Sequence, residues 1–345
     1  MPLGWAIVST GRHPDQKVAP AINADGGSAI AAVVSRGAER ARAFADKHGA
    51  SAAAAYDDYG AMLRDPAVGA VYLASPNHLH TEQTAQAAAA GKHVLCEKPM
   101  ALTLADCRRM VDACREAGVK LGVGFHLRAH PGFQRLRALV ADGALGAVSM
   151  VGASWVRGVR GQTAPPPRPP GQEWWEEPAM AGAGVMMATG VHCVDALRYA
   201  LGREVAEVAA MNDATSGAPL EHMLAMLLRF DGGAIGQVVT SRRTPDWPSQ
   251  DVAVYGSEGR GALVGGVDTT LTGELAVDTQ SAQERTAFDP PDPIAMYTGQ
   301  VEAFRRAVEE GGEPLATGED GLRAAEVTLA MVESARSGRR VSVGA

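Results

Sequence analysis

Over its first 125 residues the chain alternates short runs that are apolar throughout with longer amphipathic stretches. "GWAIVS" (4–9), "SAIAAVVS" (28–35), "GAVYLAS" (69–75), "KHVLCE" (92–97) and "VKLGVGF" (119–125) read as strands. Between them lie a helix running to about Asp25, then "AERARAFADKHG" ending at Gly49, "HTEQTAQAAAAG", and "TLADCRRMVDACREAG". Thr103 is placed to cap the last of these helices at its start and Gly118 at its end. Strands without polar alternation, separated by helices of about ten residues or more, are buried on both faces. They imply a parallel sheet with helices on each side. The expected fold is α/β, with a doubly wound domain over 1–125 whose ligands sit at the carboxyl ends of the strands.

Beyond about residue 145 the rhythm changes. "AVSMVGASWVRG" reads as a strand, and a proline-rich loop, "QTAPPPRPPGQEWW", follows it. That loop is either a rigid connector or a lid over a substrate. An apolar helix over about 183–201 comes next, then strands with no helices between them at 204–212, 220–230, 233–242, 250–255 and 260–265. Asp231-Gly232-Gly233 marks a hairpin turn. Helices at about 292–310 and 318–337 close the chain. The expectation is a second, α+β domain over 126–345 with an open, mostly antiparallel sheet, the final helices packing back on the first domain.

At 345 residues the chain is long enough for two domains, and its 46 % hydrophobic and 21 % charged content is that of an ordinary soluble protein. A net charge of −7 with both signs scattered argues against nucleic acid as a partner. "MPLGWAIVSTGRHPDQ" lacks the basic-then-apolar order of a secretory leader, and no run of 18 apolar residues suggests a membrane span. Cys96, Cys107, Cys114 and Cys193 form no CxxC pair and fit no common zinc spacing. Reduced core thiols in a cytoplasmic protein, with no metal site, are expected.

Chemistry concentrates at the strand ends. After the first strand a dinucleotide fold places G-x-G-x-x-G, whose glycines let the backbone approach a pyrophosphate at a helix N-terminus. Here "VSTGRHPDQ" keeps only Gly11, with Ser9 in the first glycine's place, so the stretch reads equally as a plain turn. After the second strand come Ser35 and Arg36, with Arg40 one helical turn on and no acid before Glu39. A site for NAD puts an acid there, and that acid would repel a 2′-phosphate. A hydroxyl and guanidinium groups can bind one, which favours NADP(H) over NAD(H) if a dinucleotide binds. Otherwise the two arginines are a solvated helix face. "ASPNHLH" makes a turn at Pro76-Asn77 and begins a helix at His78 or His80.

"HVLCEKPM" ends a buried strand on Glu97-Lys98-Pro99. The proline biases Lys98 away from helical geometry, which lets its ammonium project over the sheet edge as a proton donor. Glu97 would set the charge of Lys98 or contact a cofactor, and a cis Lys98–Pro99 bond would suit the turn. In "GAGVMMATGVHCVDALRY", His192 and Asp195 are i, i+3 on one helix and share a face. That pattern fits a buried core histidine as well as a catalytic pair.

Taken together, "SPNHLH", Glu97-Lys98-Pro99, "GxxxxxxGVHxxDALRY" and the close "ATGEDGLRAAEVTLAMVESARSG" resemble the Gfo/Idh/MocA oxidoreductases, over essentially the whole chain. Within the family, "WAIVSTG", "SRGAER" and "FHLRAH" are most similar to one branch of bacterial sugar reductases. The resemblance implies a Rossmann domain for a nicotinamide cofactor. It also implies a larger α+β domain whose sheet face makes oligomer contacts, as a homodimer or homotetramer. Hydride would pass between nicotinamide and a sugar or polyol carbon. Lys98 matches the lysine that hydrogen-bonds the reacting oxygen, and His192 matches the histidine that acts with it. Asp195 would orient substrate or His192. Ser9, Thr10, Gly11, Arg12, Ser35, Arg36, Arg40, Ser75, Pro76, Asn77, His80, Glu97 and Lys98 match cofactor-lining positions. His126, Arg128, Trp155, Arg157, Trp174 and Trp175 are candidates for the substrate side, although loop tryptophans also serve packing.

One family position departs. Many members carry an Asp four residues before the histidine, and here it is Ala188. Lys98 and His192 would still serve a carbonyl reduction, which needs only a proton donor beside the hydride. The sequence therefore reads as an NADP(H)-preferring oxidoreductase of a sugar-like carbonyl or alcohol. An NAD-dependent glycosidase that oxidises transiently and a non-catalytic sugar or cofactor sensor are the alternatives.

Overall fold

Six strands form the first sheet: β1 (Leu3–Val8), β2 (Ser28–Val34), β3 (Ala55–Tyr56), β4 (Ala70–Leu73), β5 (His93–Cys96) and β6 (Leu121–Val123). The structure is a computed structural model, and it describes every residue except 51–54, 163, 165, 166, 169, 170, 245–250, 281 and 345. All pairings in this sheet are parallel, in the order β3-β2-β1-β4-β5-β6. The chain winds outward from β1 to β3, returns beside β1 as β4, and winds out the other way. The switch point, where such sheets open a crevice for ligand, therefore lies between β1 and β4. Gly4 in β1 is obligatory, because a Cβ there would lie 1.9 Å from the carbonyl oxygen of Ala67.

The core of this unit is built from Trp5, Ile7, Ile22, Tyr72 and Leu95, joined by Tyr297, Val301 and Phe304 of the helix Ala295–Glu310. Accordingly the unit comprises Met1–His126 together with Ile294–Leu322. Thr103 caps the helix Leu104–Glu116 by accepting from the Asp106 N–H at 3.1 Å, a contact worth ~1 kcal/mol. Gly118, at φ 68°, takes the left-handed position just past that helix's end. The first helix is less regular than its pattern suggests. Pro14–Val18 is a π-helical turn that leads into Ala19–Ala24.

The second unit comprises Leu127–Pro293 and Arg323–Ala345. Its strands are β7 (Val148–Val156), β8 (Val205–Asn212), β9 (Met223–Phe230), β10 (Ile235–Ser241), β11 (Val252–Gly256), β12 (Gly259–Val264), β13 (Glu274–Thr279), β14 (Gln283–Ala287) and β15 (Val341–Ser342). They form one sheet in the order β14-β13-β12-β11-β7-β10-β9-β8-β15. Only β7 and β10 pair in parallel. The hairpin at Gly232-Gly233 joins β9 to β10, with both glycines at positive φ. Alternation of exposed and buried residues, strict along β9 and kept along β10 up to Thr240, shows one solvated face and one packed face. The helices Pro131–Ala141 and Val191–Leu201 cover the packed face.

Sequence pattern missed the helix Pro131–Ala141 and strands β13 to β15. His130 starts that helix by accepting from the Gly132 N–H at 3.0 Å, an unusual cap for a histidine. β14 is a polar edge strand with four of its five residues exposed, so no apolar alternation marks it. The expected single helix over 183–201 is instead a π-helical turn, Met186–Gly190, running into Val191–Leu201. Pro178–Leu201 is long and apolar enough to cross a membrane, but 78 % of its apolar window is buried within the fold, as in a core helix. All four cysteines are free and buried. The proline-rich loop lies partly outside the described residues.

Candidate active site

In the first unit the predicted residues gather at the carboxyl ends of β1, β2, β4 and β5. Ser9 ends β1 at φ 100°, a conformation that a side chain disfavours and a glycine would take freely. Its Oγ accepts from the Gly11 N–H at 3.3 Å, so the turn closes on itself ahead of the first helix. Thr10 Oγ1 lies 3.2 Å from Ser35 Oγ, which joins the ends of β1 and β2 through hydroxyls where an NAD site would carry an acid. Arg12 is engaged along its own helix by Gln16 at 2.9 Å. Arg36 and Arg40 are exposed around the start of the helix Ala38–His48. Hydroxyls, two exposed guanidinium groups and a helix start at the ends of β1 and β2, beside the switch point, fit the phosphates of a dinucleotide.

Ser75 and Asn77 follow β4, with Ser75 Oγ donating to Gln83 Oε1 at 2.5 Å. His80, expected to line the cofactor, does not. Its ring is fully buried, with Nδ1 3.1 Å from the Pro99 carbonyl and Nε2 2.9 Å from the Ser75 carbonyl. Burial lowers its proton affinity, and the ring braces the Ser75 turn against the Pro99 turn.

Lys98–Pro99 is a cis bond. Beside it the Glu97 carboxylate is nearly enclosed. Tyr72 donates to its Oε1 at 2.5 Å, His13 Nε2 lies 3.0 Å from the same oxygen, and the Lys98 N–H donates to Oε2 at 3.3 Å. Burial opposes ionisation of Glu97. His13, the Lys98 charge and the Tyr72 hydroxyl outweigh it and bring the carboxyl from 4.5 down to about 2. Burial, and then Glu97, push the Tyr72 hydroxyl well above its ordinary value, so Tyr72 remains a donor. His126, expected on the substrate side, belongs to this same unit. It stacks on Tyr297 at 4.7 Å, and His13 meets that ring edge-on at 5.3 Å. Sequence reasoning missed His13, Tyr72 and Tyr297.

In the second unit His192 is 3 % exposed and packs on the Trp155 indole, ring centroids 5.2 Å apart. The Arg157 guanidinium lies 5.3 Å from the Trp155 ring and pairs with Asp268 at 2.6 Å. Trp155 thus backs His192. Thr189, beside Ala188, meets Thr240 of β10 at 2.6 Å between hydroxyls. Glu221, which the sequence did not single out, caps the start of the His192 helix. Its two carboxylate oxygens accept from the Gly184 and Met186 N–H groups, each at 2.9 Å. Burial raises its proton affinity against those two bonds.

Asp195 and Arg128 correct the sequence expectation. Asp195 takes two bonds from Arg128, Nε to Oδ2 at 3.0 Å and Nη2 to Oδ1 at 2.6 Å, with side chains 1 % and 7 % exposed. Such a buried bidentate pair is a strut, not a pair of substrate contacts. Trp174 and Trp175, both half-buried, stack on each other at 4.5 Å, with Arg168 over the latter at 5.3 Å.

A doubly wound sheet whose β1 and β2 ends carry hydroxyls and arginines, with an ionised Glu and a Lys at the end of β5, defines a dinucleotide-binding oxidoreductase. More narrowly, the chain belongs to the Gfo/Idh/MocA oxidoreductase family. Residues 3–125 match the family's NAD-binding Rossmann fold and residues 133–261 its C-terminal domain. The chain is 34 % identical over 345 residues to 1,5-anhydro-D-fructose reductase of Ensifer adhaerens, covering 98 % of each. It is 34 % identical over 342 residues to D-xylose 1-dehydrogenase (NADP(+)) 2 of Haloferax volcanii, covering 98 % of this chain and 99 % of that one. Among solved structures, aldose-aldose oxidoreductase of Caulobacter crescentus, complexed with glycerol, superposes with a TM-score of 0.87 at 29 % identity. That match covers 99 % of this chain and all of that one.

Proposed function

We propose that this enzyme is an NADP(H)-preferring oxidoreductase acting on a sugar-like or polyol carbonyl or alcohol, with Lys98 and His192 handling the proton. The observation that carries the cofactor preference is the end of β2, where the Thr10 and Ser35 hydroxyls adjoin Arg36 and Arg40 and no acid precedes Glu39. The NADP(+) in the xylose dehydrogenase's name supports the same choice. The substrate class rests on the relatives' names, an anhydro-sugar reductase and an aldose dehydrogenase among them.

In this reading the first unit holds the cofactor and the second supplies substrate contacts. The nicotinamide, when bound, gives or takes the hydride. Lys98, half-buried beside an ionised Glu97, hydrogen-bonds the reacting oxygen and moves its proton. His192, fixed against Trp155, is its partner. General acid–base groups of this kind are worth ~10²–10⁴-fold each. Ala188 leaves a methyl where many members place a carboxylate, which favours carbonyl reduction and a less hydroxylated substrate.

The outer face of the second unit's sheet is the surface on which we place a second copy, in a homodimer or homotetramer. It exposes Met150, Met211, Met223, Leu227, Ile235 and Val239, a run of apolar side chains that supports a contact surface. Four free, buried thiols suit a reducing compartment, and we place the enzyme in the cytoplasm.

The test is absorbance at 340 nm. NADPH and NADH are each mixed with a panel of ketoses, osones, anhydro-sugars and small aldehydes, and NADP⁺ with polyols and aldoses. Faster oxidation of NADPH than NADH by one carbonyl class, lost in Lys98→Ala, is expected. Tight NADPH binding with no turnover across the panel overturns the reading and leaves the glycosidase or the sensor.

A further inference from the structure

Glu97 is a buried anion contacted from two directions. Lys98, its chain neighbour, donates a backbone N–H to Oε2, and the Lys98 charge helps to keep the carboxyl ionised. His13 arrives from 84 residues away, on the β1–helix turn, to reach Oε1 at 3.0 Å. Tyr72 donates to that same oxygen from the sheet side. A Cβ on Gly124 would stand 2.9 Å from Oε1, so glycine there leaves the carboxylate its place. His13 is itself held in place, edge-on to Tyr297, over which the Lys17 ammonium lies at 5.7 Å from the ring centre. His13 therefore bonds an enclosed carboxylate whose chain neighbour, bonded to it through the backbone, is the proposed proton carrier.

We propose that His13 is a positioning residue that draws the Glu97 carboxylate toward the β1 turn and so sets how tightly Lys98 holds its proton. The inference rests on the reading of Lys98 as the proton-handling group. Each hydrogen bond and each increment of positive charge that His13 supplies to Glu97 reduces what that carboxylate offers Lys98. With His13 removed, the Glu97 charge is no longer shared with that ring, and a nearby opposite charge favours the ammonium form of Lys98. The other ionisable groups facing Glu97 are Tyr72, His80 and Cys96, with Tyr297 and Lys17 behind His13. They are common to the native chain and its variants, so a difference between the two reports His13. The contact also gives the polar "RHPDQ" stretch after β1 a purpose that a plain phosphate-binding turn would not require.

The test uses the full chain as His13→Leu, which removes both bond and charge, and His13→Gln, which keeps a hydrogen-bond donor. Lys98 is titrated directly by competitive labelling of its amine with an acylating reagent across pH, read by mass spectrometry. This readout needs no turnover. The expected result is a Lys98 midpoint about one unit higher in His13→Leu, with His13→Gln between it and the native chain. The pH limb of kcat/KM should move up by the same amount, in oxidation and in reduction alike. A Lys98 midpoint that stays put or falls overturns the proposal, even if His13→Leu melts earlier. Should His13→Leu fail to fold, the His13→Gln titration decides alone: an unmoved midpoint overturns the proposal and a raised one supports it. The failure of the functional reading looks different, because Lys98→Ala would then turn over normally whatever the labelling shows.

Discussion

Replacing Asp195 by Asn separates a structural strut from a substrate contact. In the native chain Asp195 accepts two charge-assisted bonds from Arg128, at 3.0 and 2.6 Å, in a site where neither side chain is more than 7 % exposed. Asn keeps the shape, loses the charge and turns an NH₂ toward a guanidinium. Breaking a buried pair by removing one charge costs about 3–5 kcal/mol. Two features hold the cost near the lower figure. Asn still offers one carbonyl oxygen, and the Arg128 guanidinium stacks at 5.0 Å on Tyr199, a contact worth ~1 kcal/mol that survives the change. A unit of 150–250 residues loses roughly 2–4 °C of melting temperature per kcal/mol. Asp195→Asn should therefore melt ~6–12 °C lower by calorimetry, while kcat measured well below that temperature falls less than about threefold. A double-mutant cycle with Arg128→Met should return a coupling of at least ~2 kcal/mol. A melting temperature within ~3 °C of native together with a hundredfold loss of kcat would refute the strut. It would return Asp195 to the substrate.

Three further outcomes follow from the same geometry. Glu97 has its carboxyl depressed from 4.5 to about 2, so it stabilises the fold above about pH 4.5 and that contribution is lost as pH falls toward 2. The full shift is on the order of 3 kcal/mol, of which roughly 2 is lost by pH 3, so denaturant titrations at pH 7, 4 and 3 should show Glu97→Gln losing about that much less than the native chain. Ser9→Gly relieves a side chain held at φ 100° and should stabilise the first unit by ~1 kcal/mol, read as a higher melting temperature; an unchanged or lower one denies the strain. Leu227, 57 % exposed at the middle of β9, lies on the proposed contact face. Leu227→Glu should lower the mass seen by light scattering toward one subunit with the far-ultraviolet spectrum unchanged, and an unaltered mass moves the interface elsewhere.

The parts of this molecule that the sequence disclosed are those governed by nearest neighbours along the chain. β1, β2, β4, β5 and β6 are apolar on both faces, and β9 and most of β10 alternate, so each announces its burial within eight residues or fewer. Buried charges obey a different rule. His192 and Asp195 share a helix face at i, i+3, which suggests that they pair. Yet Asp195 takes its two close bonds from Arg128, 67 residues away, with Arg198 of its own helix at 3.6 Å. Glu97 has Lys98 beside it, but its carboxylate is completed by Tyr72 and by His13, 84 residues distant. Glu221 falls at the start of the strand read over 220–230, yet its carboxylate caps a helix that begins 35 residues before it. An ionised group taken out of water must find its counterpart wherever the fold brings one, because leaving it unpaired costs more than any local propensity can return. Spacing along the chain therefore locates such groups without naming their partners. His80, which reads as a cofactor contact and proves to be a brace between two carbonyls, fails for the same reason.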